Sequence, residues 1–164
     1  MDLYIFRHGK AGKREGSAME DRNRTLTPKG TREIRDIARW ISAQDFGLDW
    51  IATSPLARAR DTAAIAAEEL GISGRLEVWE ALSIDHEPGD ILDHLSRKGG
   101  DSTGMIVGHE PLLSTSMSFL ISGVGSARIM LAKGGIAKIG SIALEPVPAG
   151  ELEWLLSPKM ILRE

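Results

Sequence analysis

Leu3-Tyr4-Ile5-Phe6-Arg7-His8-Gly9 is a run of four apolar residues that breaks off at two basic side chains and a glycine. The apolar part is too short for a helix and suits a short strand. Two later segments have the same form. Trp50-Ile51-Ala52-Thr53 stops at Ser54-Pro55, and Met105-Ile106-Val107 stops at Gly108-His109. Leu76 to Trp79 is a further short strand candidate.

Helical patterns separate these runs. Thr27 is a suitable N-cap and Pro28 is tolerated at the first helical position. Ile34, Ile37, Ala38 and Ile41 then recur at the spacing of one buried helical face. After Ser54-Pro55, Ala59, Thr62, Ala63, Ala66 and Leu70 mark a second helix, with Gly71 as its stop. Pro88-Gly89 precedes a short helix around Ile91 to Leu95, and another spans about Pro111 to Ile121. Ile136 to Leu144 and Leu152 to Leu156 read as two strands joined through Pro146, Pro148 and Gly150, a terminal hairpin. Alternating strands and helices predict an α/β fold. The expectation is a single three-layer α/β/α domain over residues 1–164, with a mostly parallel central sheet and a C-terminal antiparallel hairpin.

Composition narrows the function. The chain has 164 residues, 42% hydrophobic and 26% charged, the balance of an ordinary globular domain. It contains no cysteine, which excludes disulfides, thiolate metal sites and cysteine catalysis. A formal charge of −3 argues against wholesale nucleic-acid binding. The Lys10–Arg24 stretch mixes basic residues with Glu15, Glu20 and Asp21 and lacks aromatics for base stacking, so it reads as a solvated loop. No secretory signal and no membrane-length apolar run is evident, so the expected location is cytoplasmic.

In parallel α/β folds, ligands sit beyond the carboxyl ends of the strands. Arg7 and His8, Arg58 and His109 each follow a different strand, so one sheet edge would receive two arginines and two histidines. Arginine offers planar, bidentate donors suited to phosphate oxygens. A neutral imidazole can act as a nucleophile near neutral pH. Arg58 falls in the first turn of its helix, where a cation is disfavoured by ~0.3–1 kcal/mol unless an anion binds there. Arg60 is the solvated counterpart. Arginines beside both histidines would repel a metal ion, and signature metal spacings such as H-E-x-x-H are missing, so neither metal nor cofactor is expected.

Arg7-His8-Gly9, Ser54-Pro55-Leu56-Ala57-Arg58-Ala59 and Gly108-His109, in that order, resemble the histidine phosphatase superfamily, its phosphoglycerate mutase-like branch. The small size and Leu26-Thr27-Pro28-Lys29-Gly30 are most similar to its short SixA-type phosphohistidine phosphatases. The resemblance implies that His8 is the phosphorylated nucleophile, cradled by Arg7, Arg58 and His109. It also implies substrate contacts at Gly9 and Arg24; Arg24 and Asp21 otherwise read as solvated loop charges.

Larger members of that superfamily carry a glutamate general acid after the third strand. Here Ala81 falls at that place, leaving Glu80, Asp85 and Glu87 as the candidates. An acid-poor site favours phosphohistidine or activated esters, because an alkoxide leaving group needs a proton. His86 lies in the loop expected to rim the pocket, and His94 is expected to face solvent; neither is given a role. The expected partner is a phosphorylated protein, such as a histidine phosphotransfer domain, or a small phosphate ester. The alternatives are a small-molecule phosphomonoesterase and a non-catalytic phosphate-binding interaction module.

Overall fold

β1 (Asp2–Arg7) is the strand around which the molecule is organised, because its side chains alternate between two cores. Tyr4 and Phe6 point to one face and Leu3 and Ile5 to the other, as the two-residue period of a strand requires. The computed structural model describes residues 1–163. β1 pairs in parallel with β4 (Thr103–Gly108) and antiparallel with β5 (Ile136–Ala143). β4 continues in parallel to β2 (Trp50–Thr53), and β2 to β3 (Leu76–Val78). β5 pairs antiparallel with β6 (Ala149–Leu156), giving the sheet order β3-β2-β4-β1-β5-β6. The sheet is thus a parallel four-stranded half extended by an antiparallel hairpin. β6 begins three residues before the expected strand, and irregularities in the β5–β6 register absorb the longer pairing.

α2 (Pro28–Ala43) and α3 (Ala57–Glu69) cover the Tyr4–Phe6 face. α6 (Pro158–Leu162) closes its edge through Ile161. The opposite face is covered by α4 (Pro88–Ser96) and α5 (Leu112–Ser122). Ile34, Ile37, Ala38 and Ile41 are all fully buried, as their spacing predicted. No helix among the described residues is long and apolar enough to cross a membrane.

The Lys10–Arg24 stretch departs from expectation, since α1 (Ala18–Asn23) forms within it. Ser17 accepts a hydrogen bond from the Glu20 backbone, and the Glu20 side chain accepts one from the Ser17 backbone. This reciprocal cap satisfies two free N–H groups and starts the helix.

The chain between β1 and α2 is held by the first turn of α2. The Lys10 carbonyl accepts from both the backbone N–H and the hydroxyl of Thr27, at 3.0 and 3.3 Å. Thr27 Oγ1 in turn accepts from the Gly30 N–H at 2.9 Å. A Cβ at Gly30 would sit 2.1 Å from the Lys10 carbonyl oxygen, so only glycine permits this approach. The Leu26–Gly30 segment therefore pins the chain just beyond His8.

Candidate active site

Strand register brings the candidate residues together. Arg7 on β1 lies opposite Gly108 on β4, and Thr53 on β2 lies opposite Val107. The next residues along each strand, His8, His109 and Ser54, therefore emerge side by side at the carboxyl edge. The imidazoles of His8 and His109 have centroids 5.0 Å apart. Arg58 enters from the first turn of α3. A cavity of about 420 Å³ is lined by Arg7, His8, Arg58 and His109 together with Arg14, Asp21, Arg24, Ile84, Glu110, Pro111 and Lys133.

Hydrogen bonds orient His8. Its Nδ1 lies 2.8 Å from the Gly9 carbonyl, which can only accept, so Nδ1 carries the proton. In neutral imidazole the lone pair then belongs to Nε2. The Gly9 peptide is clamped in turn, because its N–H donates to Thr62 Oγ1 at 3.1 Å and Thr62 donates to the Arg58 carbonyl at 2.8 Å. One buried threonine thus ties the nucleophile's orienting carbonyl to the helix that carries Arg58. Gly9 itself does not line the cavity. A Cβ there would meet Ile34 at 2.5 Å, so its role is close packing against α2 rather than the expected substrate contact.

Both histidines are held neutral. Burial, aided by the charges of Arg58, Arg7 and Lys133 and opposed by the hydrogen bond to Gly9, brings the His8 pKa down to about 4. Burial likewise brings His109 down to about 3, with His8 and Arg58 adding to the effect. His109 Nε2 lies 2.8 Å from Ser54 Oγ, which accepts from the Leu56 N–H and can donate its own hydroxyl proton to Nε2, so that Nδ1 of the neutral ring carries the N–H. His109 Nδ1, Arg7 Nε and Arg58 Nε are buried without a protein hydrogen-bond partner. Unsatisfied buried nitrogens of this kind are uncommon in folded proteins, and three around one cavity suit an oxyanion.

Asp21 and Arg24 are not solvated loop charges. Asp21 is 5% exposed. Its Oδ1 accepts from Arg24 Nη2 at 3.0 Å and Nε at 3.2 Å, and its Oδ2 from Arg58 Nη2 at 3.4 Å. Arg58 Nη1 also donates to the Asp21 backbone carbonyl at 2.8 Å. Burial raises the Asp21 pKa, but the Arg24 hydrogen bonds and the charges of Arg58, Arg24 and Arg14 outweigh it and hold the net value below the usual range. α1 thus delivers the carboxylate that fixes Arg58 in place. Arg7 is anchored separately, with Nη1 donating to the Leu131 carbonyl at 2.8 Å.

The proposed acids after β3 lie elsewhere. Glu80 is exposed and meets Arg22 at 3.4 Å, while Glu87 and Asp90 form a reciprocal cap on α4. Asp85 is exposed, and none of Glu80, Asp85 and Glu87 lines the cavity. The loop contributes Ile84 instead. His86 bonds Asp90 at 2.9 Å. His94 is not simply solvent-facing, since its ring lies 4.9 Å from that of Trp79. Sequence reasoning missed Glu110, Lys133 and α1. Only α1 had a legible signal, the Ser17-x-x-Glu20 capping box.

The chain matches the model of the histidine phosphatase superfamily (branch 1) over residues 3–83. An uncharacterised protein of Picosynechococcus is 35% identical over 99% of both chains. The chain belongs to the histidine phosphatase superfamily. It is therefore a phosphatase. The Escherichia coli phosphohistidine phosphatase SixA is 27% identical over 96% of this chain and 94% of its own. A solved structure of the protein histidine phosphatase SixA complexed with tungstate superposes with a TM-score of 0.83 at 26% identity, covering 96% of this chain and 97% of that one. Within the superfamily the chain is thus of the SixA type, and the six-stranded sheet with its flanking helices is the fold expected of it.

Proposed function

We propose that this histidine phosphatase removes phosphoryl groups from phosphohistidine on a phosphotransfer protein, through a metal-independent phosphohistidine intermediate on His8. The observation that carries the reading is the 2.8 Å contact of His8 Nδ1 with the Gly9 carbonyl, in an imidazole kept neutral by burial. It leaves the Nε2 lone pair as nucleophile, in the cavity that Arg7, Arg58 and His109 share.

In the first step Nε2 attacks phosphorus while Arg7 Nε, Arg58 Nε and His109 Nδ1 receive the equatorial oxygens. Electrostatic stabilisation of those oxygens is the main task in phosphoryl transfer. In the second step water attacks the phosphorylated imidazole. No divalent cation is required, because guanidinium and imidazole N–H groups supply the charge and the hydrogen bonds. Tungstate, the oxyanion in the related SixA structure, has the tetrahedral shape of phosphate.

Similarity to SixA supports a phosphohistidine substrate. The test is phosphate release from a phosphohistidine-bearing phosphotransfer domain with chelator present. Wild type is expected to release phosphate and His8→Ala to release none. Release by His8→Ala at the wild-type rate would refute the mechanism. Hydrolysis of an aryl phosphate without release from the protein substrate would point to a small-molecule phosphomonoesterase.

A further inference from the structure

Two carboxylates line the cavity, Asp21 and Glu110, and they differ in what binds them. Both oxygens of Asp21 are engaged by arginines, Oδ1 by Arg24 and Oδ2 by Arg58. Such a carboxylate positions cations and has little capacity to move a proton. Glu110 makes a single hydrogen bond, from the Ser114 N–H to Oε1 at 3.0 Å. That bond anchors the side chain to the first turn of α5 and leaves the second oxygen, Oε2, free. Glu110 also follows His109 directly, at the end of the strand adjacent to the one that carries His8. Its charge acts on Arg7, which places the carboxylate in the electrostatic field of the phosphate cradle.

We infer that Glu110 is a catalytic residue, the general base that activates water against phosphorylated His8. The inference rests on the His8 intermediate proposed above. The water oxygen bonds to phosphorus as the P–Nε2 bond breaks, and the electron pair of that bond returns to Nε2. One water proton passes to Glu110 Oε2. The products are monohydrogen phosphate, neutral His8 still protonated at Nδ1, and protonated Glu110, which then loses its proton to solvent. Helix capping alone would explain the Ser114 bond, but it needs no carboxylate charge. A glutamine at this position keeps the Oε1 acceptor and removes the base, so the two roles separate.

The experiment is rapid-quench kinetics of wild type and Glu110→Gln with an aryl phosphate, following aryl alcohol and protein-bound phosphate together. The aryl alcohol leaves easily, so formation of the phosphoenzyme is not limited by proton supply. Glu110→Gln is expected to give a stoichiometric burst and then discharge its phosphohistidine about a hundredfold more slowly, within the range of general acid–base effects. Discharge at the wild-type rate would overturn the role of Glu110 while leaving the His8 mechanism intact. Absence of the burst would overturn it as well, by moving the requirement to the first step. Undiminished turnover by His8→Ala in the same assay would instead overturn the mechanism on which the inference rests.

Discussion

Thr62 shows how much a single side chain holds in this site. Its hydroxyl donates to the Arg58 carbonyl and accepts from Gly9, whose carbonyl orients His8. Thr62→Val keeps the volume and deletes both bonds, leaving a buried N–H unpaired at a cost of ~1–3 kcal/mol. If half of that is felt in the transition state, kcat on an aryl phosphate falls by about two- to tenfold. Thr62→Ser keeps the hydroxyl and is expected to retain activity near wild type. Equal losses in both variants, measured with the fold checked by circular dichroism, would show that the hydroxyl does not position His8. At this scale the sequence was only partly legible. Arg7, His8, Arg58 and His109 stand at strand ends or in a helix's first turn and announce themselves. Asp21 does not, because its burial comes from Arg24 and Arg58 converging on it in space. Glu110 and Lys133 reach the cavity through loop paths that no local pattern records.

At the scale of elements, the parallel half of the fold was readable because each strand is a short apolar run with a polar stop. The helices α2 and α3 carry their caps and buried stripes in plain view. The exceptions have physical causes. α1 is six residues long with only Ala18 and Met19 apolar, so it lacks an apolar period, and its stability comes from the Ser17–Glu20 cap and the Asp21–arginine contacts. β6 extends back beyond the expected Leu152 because backbone pairing with β5 continues where side chains cease to alternate in polarity. The acid expected after β3 failed for a similar reason. A three-residue helical turn at Glu80–Leu82 buries Ala81 and Leu82 and sends Glu80 outward to Arg22. The loop's contribution to the cavity then falls to Ile84.

For the whole molecule, a preassembled cationic site has a stability consequence. His8 and His109 are buried neutral, with folded pKa values near 4 and 3. In the unfolded chain a histidine titrates near ~6.5. Between these values the unfolded state binds more protons, so stability is fully present above about pH 6.5 and is lost as the pH falls toward about 4. Asp21 has a lowered pKa and acts in the same direction over a lower range, losing its share only below the ordinary carboxylate value. Urea midpoints are therefore expected to fall between pH 7 and pH 5. The slope should flatten in a His8→Asn, His109→Gln variant. A flat wild-type profile over that window would contradict the burial of neutral imidazoles.

The nitrogen that carries phosphorus is the most direct point of attack. The enzyme would be mixed with excess aryl phosphate, quenched in alkali to preserve phosphoramidates, and examined by ³¹P NMR and peptide mass spectrometry. The expected result is a single phosphohistidine at His8, bonded through Nε2, and none in His8→Ala. Phosphorus at Nδ1, on another residue, or absent while hydrolysis proceeds undiminished in the variant would contradict the tautomer, the nucleophile and the two-step mechanism together.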